Sequence, residues 1–142
     1  MEKITETLVI NTDEISEREY KGNLSIKKLR IGKDVKTIGA EAFSMCANLE
    51  SIEVDENNQW FTSGNGCNAI IDKSGTLLVG CYKTVIPEFV TDIGPFAFCG
   101  QTKLQTVTIP SHVHRVGAFA FDGCSELVEL TIEKGVEQIG EY

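Results

Sequence analysis

An internal period of 23 residues constrains this chain more than any other feature. Ile93-Gly94, Val116-Gly117 and Ile139-Gly140 follow one another at that interval, and Ile38-Gly39 opens an earlier copy. Five residues after the first three anchors of the series stand Phe43, Phe98 and Phe121, and six residues further on Leu49, Leu104 and Leu127. Each leucine precedes an alternating pair, Ile52/Val54, Val107/Ile109 or Leu130/Ile132, and alternation of that kind marks a half-buried strand. Val113 and Val136 close their units after a turn built on Pro110 or Gly135. The same columns run backwards through Ile15, Tyr20, Ile26, Leu29, Ile31 and Val35.

A unit this short cannot bury its apolar side alone, whereas stacked copies share one continuous core. Each contributes four or five large apolar side chains, and about 1.5 to 3 kcal/mol per buried side chain offsets the entropy of ordering. The chemistry of the columns predicts a short strand, a Pro or Gly turn, a Val-x-x-Ile segment, then a glycine and one helical turn ending at the aromatic. Gly39, Gly94, Gly117 and Gly140 mark a position that needs either positive φ or close approach of backbones. The expected fold is therefore an α/β repeat, a right-handed solenoid of short strands and short helical turns, forming one domain over residues 1–142. Residues 1–14 are read as an N-terminal cap.

One unit departs from the period. Phe43 and Phe98 are 55 residues apart, so 32 residues have been gained, over about residues 55–82. Within them Asp72-Lys73-Ser74-Gly75-Thr76 reads as a three-residue hairpin loop with Gly75 left-handed. Cross-strand partners would then have numbers summing to 148, as 67 and 81 do, which places Cys67 opposite Cys81 as either a disulfide or two packed thiols. Trp60 and Phe61 precede the hairpin and are expected to pin the insertion to the body of the stack. Gly64-Asn65-Gly66 is a turn, without the helix and lysine of a phosphate loop. The ladder of strands is expected to resume at Thr84-Val85-Ile86-Pro87, and the array to continue from Val90.

The run Ile-Gly-Ala-Glu-Ala-Phe-Ser-Met-Cys-Ala-Asn-Leu-Glu-Ser-Ile-Glu-Val from Ile38, and its echo Val-Gly-Ala-Phe-Ala-Phe-Asp-Gly-Cys-Ser-Glu-Leu-Val-Glu-Leu-Thr-Ile from Val116, resemble the BspA-like leucine-rich repeats. The resemblance covers about residues 15–142, and the insertion is similar to hairpin-bearing inserts in such arrays. It implies a non-catalytic protein-binding or adhesion-type module with a protein or glycoprotein partner, at a cell surface or secreted, and it carries no catalytic residues or cofactor. The alternative is a structural or self-associating segment of a larger protein. Residues 1–14 mix charged residues with the short run Leu8-Val9-Ile10, so the uninterrupted apolar core of a secretory signal is missing. No apolar run approaches the roughly 18 residues of a membrane span.

With 21 acidic and 13 basic residues the net charge is -8, which disfavours phosphate backbones and anionic lipid as partners. Five cysteines, an odd number without dense spacing, do not make a small disulfide framework. His112 and His114 flank an inward Val113 and are expected to be solvated, since two ligands do not close a zinc site. Cys46 and Cys124 share a column as small buried hydrophobes, with no base at a fixed spacing to make either a nucleophile.

The candidate binding surface is the strand face, with an ordinary solvated sheet face as the alternative. Residues between the paired apolar positions point to solvent and stack into a row, Arg30, Glu53, Val85, Thr108 and Thr131, beside Lys28, Ser51, Thr106 and Glu129. The insertion hairpin is a second candidate surface. The last copy stops partway through a unit, with Tyr142 in the column of Phe96 and Phe119, which leaves an open C-terminal end suited to self-association.

Overall fold

The computed structural model describes residues 6–141. Thirteen short strands follow one another among them: β1 (Thr7–Ile10), β2 (Glu14–Ile15), β3 (Lys28–Ile31), β4 (Thr37–Ile38), β5 (Ser51–Val54), β6 (Phe61–Thr62), β7 (Ala69–Asp72), β8 (Thr76–Gly80), β9 (Asp92–Ile93), β10 (Thr106–Ile109), β11 (Arg115–Val116), β12 (Glu129–Ile132) and β13 (Gln138–Ile139). Longer and shorter strands alternate because each coil of the solenoid contributes one of each to two parallel ladders. In the first, Leu8, Leu29 and Ile52 lie in register across β1, β3 and β5, and Val107 and Leu130 across β10 and β12. In the second, Ile15 pairs with Ile38, and Ile93, Val116 and Ile139 form one row. The segment expected as an N-terminal cap thus carries β1, which continues the ladder.

The third side of each coil is a stack of tight turns, and here the expectation of short helical turns is corrected: no helix occurs among the described residues. Ala42, Ser44 and Cys46 donate their N–H groups three residues back, to Gly39, Glu41 and Phe43. The alternate groups reach the next coil instead, Arg18, Tyr20 and Gly22 donating to Ala40, Ala42 and Ser44, and Phe96, Phe98 and Gly100 to Ala118, Ala120 and Asp122. This alternation requires a left-handed residue twice per coil. Arg18, Glu41, Phe96 and Phe119 have φ between 56° and 61°, and Gly22, Met45, Gly100 and Gly123 between 62° and 76°. Such residues interrupt a right-handed helix after one turn. Of the two reasons offered for the glycine column, close approach applies: a Cβ on Gly39, Gly117 or Gly140 would collide with the backbone of the preceding coil.

The gained residues form a partition inside the stack. Phe61, in the column of Ile15 and Ile38, lies in β6, which runs antiparallel to β7; β7 runs antiparallel to β8, and β8 parallel to β9. The second ladder therefore passes through the hairpin in the strand order β13-β11-β9-β8-β7-β6. Because neighbouring residues of a strand face opposite ways, Ile70, Val79 and Cys81 join the core of the N-terminal coils, while Ala69, Ile71 and Leu77 join that of the C-terminal coils. Asn58, in the column of Val35 and Val113, seals the junction. Its Nδ2 donates to the carbonyls of Gly32 and Val35 at 2.8 and 3.0 Å, and its Oδ1 accepts from the N–H groups of Trp60 and Phe61, both at 2.8 Å. The hairpin turns over Lys73, Ser74 and Gly75, the last at φ 91°, with the Asp72 carboxylate accepting from Ser74 and Thr76.

Candidate binding face

The in-register strands set the geometry of the exposed row. In β3 the pattern is exposed, buried, exposed, buried, so Arg30 points outward, opposite Glu53 on β5, and the two form an ion pair at 3.4 Å. Thr108 lies beside Thr131, both exposed. Val9, paired with Arg30 and 64% exposed, extends the row by a residue that sequence reasoning assigned to the cap. Four of the five expected members, Arg30, Glu53, Thr108 and Thr131, thus sit on strands in two separate parallel groups.

Val85 does not. Residues 84–87 form no strand, contrary to the expected resumption of the ladder, because this segment is tied to the insertion. The Val85 N–H donates to the Cys67 carbonyl at 3.0 Å, and the Thr84 hydroxyl donates to the carbonyl of Asn68. Asn68 also closes the edge of β5, its Oδ1 accepting the N–H of Ile52 at 3.2 Å. The edge of β10 has no such closure. A cleft of about 320 Å³ lies there, lined on one side by Thr84, Val85 and Ile86 and on the other by Thr106, Val107 and Thr108, with Tyr82, Phe98 and Leu104 beneath. Lys83 and Lys103 place their ammonium groups 5.9 and 5.5 Å from the Tyr82 ring centre. The Tyr82 hydroxyl donates to Glu50 at 3.2 Å, and burial followed by that carboxylate raises its pKa. Lys83 falls in the column of Lys28, Ser51, Thr106 and Glu129, whereas Lys103 has Asn48 and Glu126 in its column, so no period signals the pair.

The cysteines are free thiols. A bulge between Ile70 and Ile71 shifts the hairpin register: Ile71 and Leu77 keep the expected sum, but Ala69 faces Gly80, so Cys67 and Cys81 fall out of direct opposition. The Cys67 thiol donates to the Gly64 carbonyl at 3.0 Å, while Cys81 lies 3.8 Å from the Asn68 carbonyl. Cys46 and Cys124 stitch coils together, donating to the carbonyls of Tyr20 and Phe98 at 3.2 and 3.1 Å. Burial pushes both thiols up to about 11, which suppresses the thiolate a nucleophile needs. In the same column Gln101 donates to the Cys46 carbonyl at 3.1 Å.

The histidines serve similarly, the Nδ1 of His112 lying 2.7 Å from the Val90 carbonyl and that of His114 3.3 Å from the Gly135 carbonyl. No group of three or more potential metal ligands occurs among the described residues. Phe61 is buried, while Trp60 is 37% exposed and lies under Lys36 at 5.5 Å. At the C-terminal end Leu130, Ile132 and Ile139 are exposed and line a hollow of about 100 Å³; Tyr142, expected in the column of Phe96 and Phe119, lies outside the described residues. No helix is long and apolar enough to cross a membrane among the described residues.

The family model of the BspA type leucine rich repeat region matches residues 5–67 and 80–142, in six copies. The unmatched stretch contains nearly all of the β7–β8 hairpin. Among solved structures, a leucine-rich repeat protein from Eubacterium ventriosum is 25% identical with a TM-score of 0.55, the match covering 79% of this chain and 37% of that one. The pneumococcal vaccine antigen PcpA is 18% identical with a TM-score of 0.76, covering 92% of this chain and 39% of the other. A leucine-rich cell surface protein from Faecalibacterium prausnitzii is 24% identical with a TM-score of 0.54, covering 91% and 32%. The latter two likenesses show the fold alone, and the chain spans well under half the length of each of the three. No curated protein matches it.

Proposed function

Because the chain belongs to the BspA-type leucine-rich repeat family, we propose that it is a non-catalytic interaction module that binds a protein or glycoprotein through its strand face. One observation carries the reading: the outward residues Val9, Arg30 and Glu53, and then Thr108 and Thr131, are held side by side by parallel pairing. A rigid row of that kind presents several side chains to a partner with little ordering entropy left to lose. A cell-surface location belongs to the same proposal, supported by the description of the Faecalibacterium prausnitzii relative as a cell surface protein. The acidic balance, -8 overall, favours protein over nucleic acid as partner.

The test is a binding screen of the purified chain against extracellular-matrix and cell-surface glycoproteins, with a Glu53→Arg/Thr131→Glu double variant. Specific binding that the folded double variant loses is the expected result; binding it retains in full would remove the strand face from the account. The self-associating alternative draws on the exposed Leu130, Ile132 and Ile139, which a second copy could cover. A monomeric mass by light scattering at high protein concentration would eliminate it.

A further inference from the structure

The first ladder is interrupted where the coil before β10 should supply a strand. Alternate residues of a strand in a parallel sheet turn their N–H and C=O groups to opposite edges. The carbonyls of Gln105 and Ile109 accept from Val128, Glu129 and Glu133 in the β12 segment, so the backbone groups of Thr106 and Thr108 point the other way, into the cleft. No backbone bond joins them to residues 83–87, which are held back by Cys67 and Asn68. An unpaired strand edge is a template for another strand, and this one is short, solvent-reachable and floored by Tyr82, Phe98 and Leu104. The rim is also distinctive in charge. Among the described residues neither Lys83 nor Lys103 takes part in an ion pair within 4.0 Å, and both converge on Tyr82 in a chain whose net charge is -8.

We propose that this cleft takes an extended acidic peptide segment of a partner protein as an added strand on β10. The peptide backbone bonds to the N–H and C=O groups of Thr106 and Thr108, one apolar side chain enters between Ile86 and Leu104, and a carboxylate lies beside Lys83 and Lys103. Main-chain bonds supply the affinity and the alternate side chains the selectivity, as in other recognition by strand addition. The inference rests on the reading of the chain as an interaction module and names the kind of partner.

The probe is a synthetic peptide of about six residues, a usual strand length, alternating glutamate with valine, with an N-methylated version as control. It is titrated into the isotopically labelled full chain and followed by amide NMR shifts and fluorescence anisotropy. Saturable shifts at the Thr106 and Thr108 amides are expected, with binding weakened about tenfold or more by N-methylation of the peptide. Thr108→Pro removes only an N–H that faces the cleft and is tolerated on an edge; it should weaken binding as much. Lys83→Glu/Lys103→Glu should cost about fivefold and abolish the salt dependence. The proposal is overturned if no saturable shift occurs at millimolar peptide, if the N-methylated peptide binds equally well, or if the shifts fall on Arg30, Glu53 and Thr131. In each of those cases glycoprotein binding that the Glu53→Arg/Thr131→Glu variant loses would leave the module standing without this cleft.

Discussion

Asn58 occupies a column that elsewhere holds Val35 and Val113, and its amide makes four hydrogen bonds to backbone while 6% exposed. Replacing it with the column's own residue restores apolar volume and strands two carbonyls and two N–H groups at the mouth of the insertion. Asn58→Val should therefore lower unfolding stability by about 2 to 4 kcal/mol, read from urea denaturation; an unchanged midpoint would show that water replaces the amide without loss. At this scale the sequence is legible wherever a residue type recurs. Gln101 and Asn68 each stand alone, and their bonds to Cys46 and Ile52 depend on how far the insertion displaces neighbouring coils, which no column records. Met45 is the converse case, a side chain at φ 62° where the other copies have glycine.

The turn stack shows where a correct repeat yields the wrong element. A segment carrying Ala40, Ala42 and Phe43 suits one helical turn by composition, but bonding between coils competes for every second N–H and wins because all copies satisfy it together. The links between these turns include charge. Glu41, with its side chain 8% exposed, accepts from Arg18 at 2.8 Å and from Lys21 at 3.0 Å, both on the preceding coil. Bonding to Arg18 first and Lys21 second holds its carboxyl below the ordinary carboxylate value. Unfolded chains then bind the extra proton, so this contribution is complete above the usual carboxylate range and is lost as pH falls through the folded pKa. Glu41→Gln should flatten the acid limb of the stability profile, measured as urea midpoint against pH. An equally steep limb would place the acid sensitivity elsewhere.

Across the whole molecule the hairpin decides whether there is one folding unit or two. Its apolar run Ala69-Ile70-Ile71 was visible in the sequence, as was the length gained, yet its place inside the stack was not. A strand buried on both faces has no alternation to betray which core each residue enters. Ile70 and Ile71 are fully buried in different cores, so Ile70→Ala and Ile71→Ala should each cost about 2 to 5 kcal/mol. Wild-type unfolding is expected to be a single transition, and the double variant to split it in calorimetry, since only this wall couples the two sets of coils along the second ladder. A double variant that still unfolds in one step would place the coupling in the turn stack, where Met45 donates directly to Cys99.

The same wall makes the cleft beside it portable. The hydrogen bonds that tie residues 84–87 back from β10 run to Cys67, Asn68 and Cys81, a few residues from the hairpin itself. Duplication or loss of 23-residue units outside the coils that carry Glu50, Lys103 and β10 would lengthen or shorten the array without touching that arrangement. A partner site of this design is inherited as a cassette: its address is the hairpin together with the coil that follows it, whatever the number of repeats further out.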